Sequence, residues 1–252
     1  MSMKTTPVIA VCGKGGVGKT VLAALLARVL IEGGIRPLLL IDADPAGGLV
    51  AAIGERSVWT LAGVRERLIA SARTADDAEK MRLAEQVDYL VLEALLERKD
   101  YSLLAMGHSS EKGCYCPVNT LLREAIDLIA SQFAAVIIDA EAGIEQINRQ
   151  VTRSITRVIA VSDGSQRSAE TARLIAEMVD KDLVCAVGNR VAPGDRGEVP
   201  EGVAVLGVIP EDPCLRQFDQ EGRPLWELPP DTPALCAVHA IATQLGIPKA
   251  GA

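Results

Sequence analysis

The sequence predicts an α/β protein in which a mostly parallel central sheet of about seven strands carries helices on both faces. Three observations lead there. Short apolar runs alternate with helix-forming stretches along the chain, the pattern of strands buried on both sides. A glycine-rich stretch, Gly13-Lys14-Gly15-Gly16-Val17-Gly18-Lys19-Thr20, lies between one such run and a helical one. Acidic residues, Asp42 and Asp139, stand directly after two of the runs, at the carboxyl ends of strands where sheets of this kind bind ligands.

Val8-Ile9-Ala10-Val11-Cys12 reads as the first strand and Leu22 to Leu30 as the helix after the loop. The loop fits the pattern G-x-x-x-x-G-K-[ST], with Gly13, Gly18, Lys19 and Thr20 at the fixed positions. Its glycines let the backbone N–H groups of Gly15, Gly16, Val17 and Gly18 converge on phosphate oxygens, at the positive end of the following helix. Lys19 adds a point charge for the outer phosphates, and the Thr20 hydroxyl suits Mg²⁺. A glycine-rich turn without ligand would show the same residues but has no need of this strand–loop–helix setting.

Pro37 to Ile41 is the second strand, ending in Asp42-Ala43-Asp44-Pro45. Between Trp59 and Arg98 lies a helical insertion. Leu61, Val64, Leu68 and Ile69 have helical spacing, Thr74 to Arg82 is charged, and Val87, Leu90, Val91, Ala94 and Leu95 suggest a second helix. Such a stripe covers the sheet or meets a partner; core cover is the commoner use. Further strands are expected at Tyr101–Met106, Ala135–Ile138, Val158–Val161, Leu183–Val187 and Val203–Ile209, and an exposed loop at Pro193–Gly202. The last helix, Thr232 to Leu245, places Leu235, Val238, Ile241 and Leu245 on one stripe. Cys236 is assigned to its apolar side and His239 a structural place; His108 is given no role. The whole chain, 1–252, reads as one domain with an insertion at about 59–98.

Apolar residues make up 49% of the chain, enough for a large core, while aromatics are only 3%. The net charge of -7 argues against a nucleic-acid-binding face. No run approaches the length of a membrane span, and Met1 to Pro7 is too short and polar for a secretory leader. The expectation is a cytoplasmic protein whose six cysteines are thiols. Cys12 and Cys185 lie in apolar strands and read as buried; Cys214 is ambiguous. Cys114-Tyr115-Cys116 follows a polar loop, Gly107 to Gly113. Two thiolates at i and i+2 of an extended segment point the same way and suit one soft metal ion. A closed tetrahedral site wants four ligands, which a two-fold dimer supplies. A chance pair, or a redox-sensitive one, remains the alternative for this spacing.

Asp42 and Asp44, one residue apart, would face the phosphates from one side of the chain. Asp139 occupies the place of a Mg²⁺-associated acid at a strand end. A mere strand-end cap is the competing use, more so for Asp42.

The loop GKGGVGKT, with its second lysine at Lys14, resembles that of the MinD/ParA/nitrogenase-iron-protein class of P-loop NTPases. The resemblance implies an ATP-sandwich homodimer in which Lys14 reaches the partner's nucleotide, Asp44 positions the attacking water and Asp42 lies near Mg²⁺. It makes Asp139-Ala140-Glu141-Ala142-Gly143 a phosphate-sensing switch, Asn189 a base-reading residue and Gly207-Val208-Ile209-Pro210 an adenine-side loop. Tyr101 to Gly107, Gly113-Cys114-Tyr115-Cys116, Asn119 to Arg123 and Asp139 to Glu145 further resemble the CooC-type maturation ATPases of nickel carbon monoxide dehydrogenase. Cys114 and Cys116 would then hold Ni²⁺ or Zn²⁺ at the dimer interface, with the nickel enzyme as client. Two other readings are a positioning or partition switch and a cluster-carrying reductase component. Neither finds its mark here: the last helix has no basic face, and no cysteine stands between Asp139 and Glu145 for a bridging cluster. No nucleic-acid partner and no stable membrane anchor are expected.

Overall fold

The structure, a computed structural model, describes residues 6–56, 59–74, 92–108, 129–140, 155–191 and 202–247. Apolar runs with no polar alternation become the strands β1 (Val8–Gly13), β2 (Leu38–Asp42), β3 (Leu96–Glu97), β4 (Tyr101–Ala105), β5 (Ala135–Asp139), β6 (Arg157–Ser162), β7 (Val184–Asn189) and β8 (Ala204–Ile209). They form one sheet in the order β3-β4-β2-β5-β1-β6-β7-β8. All neighbours are parallel except β3 and β4, which pair antiparallel through Leu96 with Leu103 and Glu97 with Ser102. The sheet thus has eight described strands rather than about seven. The extra one is a two-residue edge strand, too short to carry a period in sequence.

The described helices are α1 (Lys19–Glu32), α2 (Gly48–Ala52), α3 (Leu61–Thr74), α4 (Gln166–Met178), α5 (Pro213–Glu221) and α6 (Pro233–Leu245). Successive residues of a strand point to opposite faces, and here both faces are apolar. On β1 and β2, Ile9, Val11, Leu38 and Leu40 enter one core with residues of α1 and α6, while Val8, Ala10, Leu39 and Ile41 enter a second core with residues of α3 and α4. This double cover explains why the sequence shows continuous apolar runs. α3 buries Leu61 and Val64, as a cover helix should; the second helix of the insertion, apart from Leu92–Leu95, lies outside the described residues, as do the Pro193–Gly202 loop (except Gly202) and residues 248–252.

The later helices are started by local chemistry. Ser165 caps α4 by accepting from Ser168 N. Asp212 caps α5, with Pro213 in the first turn, and α6 begins with Thr232 and Pro233. Leu235, Val238 and Ile241 are fully buried against α1 and the sheet. One assignment on α6 needs correction: Cys236 is exposed rather than on the apolar side. His239 sits on the surface 3.8 Å from Glu32. The apolar stripe rotates by about 100° per residue, so Cys236 falls one step past the buried edge at Leu235.

Candidate functional site

β1 ends in the phosphate loop, and two close approaches show why its glycines are required. A Cβ on Gly13, at φ +148°, would lie 2.5 Å from the Val161 carbonyl oxygen. On Gly18, at φ +93°, it would lie 2.1 Å from Asn189 Nδ2. Gly18 also leaves the start of α1 without a side-chain cap, so the free N–H groups of that first turn remain for an anion. Lys19 is buried, and its Nζ rests 3.4 Å from the Lys14 carbonyl oxygen.

β2 and β5 are adjacent and in register, which sets Asp42 directly beside Asp139. Neither side chain has meaningful access to water. Thr20 Oγ1 donates to Asp139 Oδ2 at 2.6 Å, while Asp139 Oδ1 is buried with no hydrogen-bond partner. An orphaned carboxylate oxygen in a dry site is costly unless a cation arrives. The pair Thr20–Asp139 therefore fits Mg²⁺, with Asp42 alongside. Asp42 also does the local work that its position at a strand end suggested: its oxygens accept from Asp44 N at 3.3 Å and Val50 N at 3.0 Å, fixing the turn into α2. Asp44 is only half-buried and lines the cleft, its Oδ1 accepting from Ala46 N.

Burial pushes the Asp139 carboxyl up to about 7, against the pull of the Thr20 hydroxyl and with added repulsion from Asp42. Burial likewise raises Asp42 to about 6, opposed by the backbone N–H groups of Val50 and Asp44. Both folded values exceed the unfolded ones. Without ligand, these two acids therefore cost the fold stability as pH rises from about 4 through about 7. A divalent cation needs both ionised, so Mg²⁺–nucleotide binding should release about one proton at pH about 6 and almost none at pH about 8.5. Calorimetry in two buffers of different ionisation enthalpy measures this; equal proton release at both values would contradict the site.

The cleft, about 560 Å³ in volume, is lined beyond the loop by Asn189, Arg190, Pro210, Glu211 and Asp212, at and just after the ends of β7 and β8. Asn189 is the last residue of β7 rather than a residue beyond it. Its Nδ2 donates to the Val17 carbonyl at 2.7 Å and its buried Oδ1 has no partner, leaving an acceptor for a ligand amine. Asp212 escaped the sequence reading, although an aspartate before proline is a helix-start signal. One of its oxygens accepts from Cys214 N and Leu215 N, the other from Ala234 N, so it joins the first turns of α5 and α6 at the rim of the cleft. Cys12 is buried, and burial raises its thiol; as an inert thiol it adds nothing to the site.

The structure brings Gly13, Gly15, Gly16, Val17, Gly18, Lys19, Thr20, Asp42, Asp44, Asp139, Asn189 and Pro210 to one end of the sheet. Lys14 lies on the same loop, half-buried. Cys114, Cys116 and Glu141 to Gly143 lie outside the described residues. Among the described residues no group of three or more His, Cys, Asp or Glu is placed to hold a metal ion, and no helix is long and apolar enough to cross a membrane.

The family model of the CobQ/CobB/MinD/ParA nucleotide binding domain matches residues 8–225. The chain belongs to this family. It is 34% identical over 252 residues to an uncharacterized ATP-binding protein of Methanocaldococcus jannaschii, covering 94% of this chain and 98% of that one. It is also 34% identical over 242 residues to the carbon monoxide dehydrogenase accessory protein CooC of Rhodospirillum rubrum, covering 88% and 90%. The ParA family ATPase of Chlorobium tepidum has the same fold, with a TM-score of 0.71 at 19% identity over 96% of this chain and 99% of that one. Within the CobQ/CobB/MinD/ParA family, this chain is a P-loop ATPase. Its sheet, its glycine cradle and its acids at the strand ends are the parts that such an enzyme needs.

Proposed function

We propose that this ATPase is a two-subunit metallochaperone that binds Ni²⁺ or Zn²⁺ through Cys114 and Cys116 and assists nickel insertion into a carbon monoxide dehydrogenase or a related nickel enzyme. The near-full-length kinship with the Rhodospirillum rubrum accessory protein carries this reading. In it, the loop N–H groups and Lys19 hold the nucleotide phosphates. Thr20, Asp139 and Asp42 hold Mg²⁺, which neutralises phosphate charge when bound. Asp44, at the mouth of the cleft, orients the attacking water. Lys14, half-buried on the loop beside the exposed Gly15 and Gly16, serves the nucleotide of the other subunit. Phosphoryl transfer asks for positioning and charge rather than covalent chemistry, so these groups suffice. Two subunits closed over ATP bring four thiolates together, and the cargo metal then answers to the nucleotide state.

The test is Ni²⁺ and Zn²⁺ titration of wild type against the Cys114→Ser, Cys116→Ser double variant, with Mg²⁺–ATP binding measured alongside. We expect metal affinity to fall by at least about 100-fold while nucleotide binding is kept. Equal metal affinity in both proteins would remove the chaperone role and leave the ATPase intact.

A further inference from the structure

We propose that Arg190 is a positioning residue for the phosphate loop, acting with Asp163 as a brace that holds the loop's carbonyls turned away from the bound phosphates. The inference rests on nucleotide occupying this loop and concerns what keeps the loop shaped for it.

Three carbonyl oxygens of the loop are each met by a side-chain donor. Lys19 Nζ approaches the Lys14 oxygen, Arg190 Nη2 donates to the Gly16 oxygen, and Asn189 Nδ2 donates to the Val17 oxygen. The three contacts are not alike. Lys19 Nζ and the Val17 N–H both rest on the Lys14 oxygen at 3.4 Å, beyond the ordinary range for a hydrogen bond. They are loosely held donors that an anion can take over. Asn189 makes a full hydrogen bond at 2.7 Å, and the Arg190 guanidinium is in direct contact with the Gly16 oxygen. Because a trans peptide points its C=O and the next N–H in opposite directions, fixing the Gly16 and Val17 carbonyls turns the Val17 and Gly18 N–H groups the other way. That is the inward face on which a phosphate is cradled.

The backbone explains how two consecutive residues reach the same loop. Neighbours in a strand point to opposite faces. Arg190 follows the end of β7 at φ +56°, and among the described residues it alone of the non-glycines has a positive φ. Its own N–H is held by the Ile209 carbonyl at 2.9 Å. The left-handed step breaks the strand's alternation, and both side chains arrive at the loop. An uncommon conformation for a residue with a side chain is thus kept at the mouth of the cleft.

Arg190 has an opposite charge behind it. Its half-exposed guanidinium faces the Asp163 carboxylate, in the turn between β6 and α4, at 3.9 Å (Nη2 to Oδ2), an ion pair without a hydrogen bond. Ser165 Oγ and Ser165 N both donate to Asp163 Oδ1, at 2.6 and 3.1 Å, which fixes the carboxylate. These hydrogen bonds, from Ser165 first, hold the Asp163 carboxyl down to about 2, so it stays charged throughout the working range. β6 and β7 are neighbours in the sheet, so the brace ties the end of each to the tip of the loop.

The test uses Mg²⁺–ADP and, separately, inorganic pyrophosphate as probes on the full chain. Arg190→Gly suits the left-handed backbone, so the unliganded melting temperature should stay within about 2 °C of wild type. Affinity for both probes should fall about tenfold, the scale of a charge-assisted hydrogen bond. Asp163→Asn should weaken binding less, by about threefold, and add nothing in the Arg190→Gly background. Unchanged affinity in Arg190→Gly, additive losses in the double variant, or a loss seen with ADP but not with pyrophosphate would each overturn the brace. Lys19→Ala serves as control: if it loses both probes while Arg190→Gly keeps them, the phosphate loop stands and the brace falls.

Discussion

Lys19→Ala is expected to lose nucleotide binding by at least about 100-fold while keeping its fold. Lys19 is buried at the first position of α1, yet its ammonium touches only the Lys14 carbonyl among the described residues, and at 3.4 Å. An ammonium that lines the cleft with one weak hydrogen-bond partner, its charge otherwise met by nearby Asp139, is held ready for an anion. Removing it takes away a charge-assisted contact to the outer phosphates and leaves the N–H cradle alone to hold them. Its stem packs in the first turn, and alanine is a good helix former there, so the unliganded melting temperature should change little. Titration with Mg²⁺–ADP reads the effect directly. An affinity within a factor of about three of wild type would mean that the nucleotide does not sit on this loop.

Lys14→Ala should behave in the opposite way. We expect it to bind Mg²⁺–ATP about as tightly as wild type, yet to stay a single subunit under ATP and to hydrolyse at least about 1,000-fold more slowly. Lys14 is half-buried and is not among the residues that line the cleft, and only its carbonyl takes part in the loop's own hydrogen bonds, from Lys19 and Val17. Its charge is felt by Asp163, which is not among the residues lining the cleft. A side chain so placed serves its own nucleotide poorly and is available to another subunit. Sedimentation with and without ATP, beside single-turnover hydrolysis, separates the two variants. Wild-type turnover in Lys14→Ala would refute a role across the interface.

The elements most readable in the sequence were those with the strongest local constraint. The loop could be read from its fixed glycines and its strand–loop–helix setting, and the close approaches at Gly13 and Gly18 show what those glycines are for. Seven strands were visible because a strand covered on both faces is apolar throughout. The eighth, Leu96–Glu97, has two residues and exists only because β4 offers it an edge. Cys236 was misplaced because one step around a helix separates a buried residue from an exposed one.

The acids divide in the same way. That Asp42 and Asp139 end strands was written in the chain. That they stand side by side follows from sheet order, which puts β5 between β2 and β1 and pairs the two carboxylates in register. Their raised proton affinities come from burial, a property of packing that no local pattern records. Arg190 carried no motif, and Asp212 carried only a local helix-start signal that says nothing of α6. Arg190 reaches Gly16 across 174 residues of sequence, and Asp212, at the start of α5, reaches Ala234 in the first turn of α6, 22 residues on.

The sequence by itself thus determined the fold class, the phosphate loop and which residue types would face a nucleotide, because glycine geometry, apolar runs and helix starts act over a few neighbouring residues. Only the tertiary structure decided which acids share a site, which carbonyls of the loop are held and by whom. Those depend on strand order and burial, which are set by contacts between segments far apart in the chain.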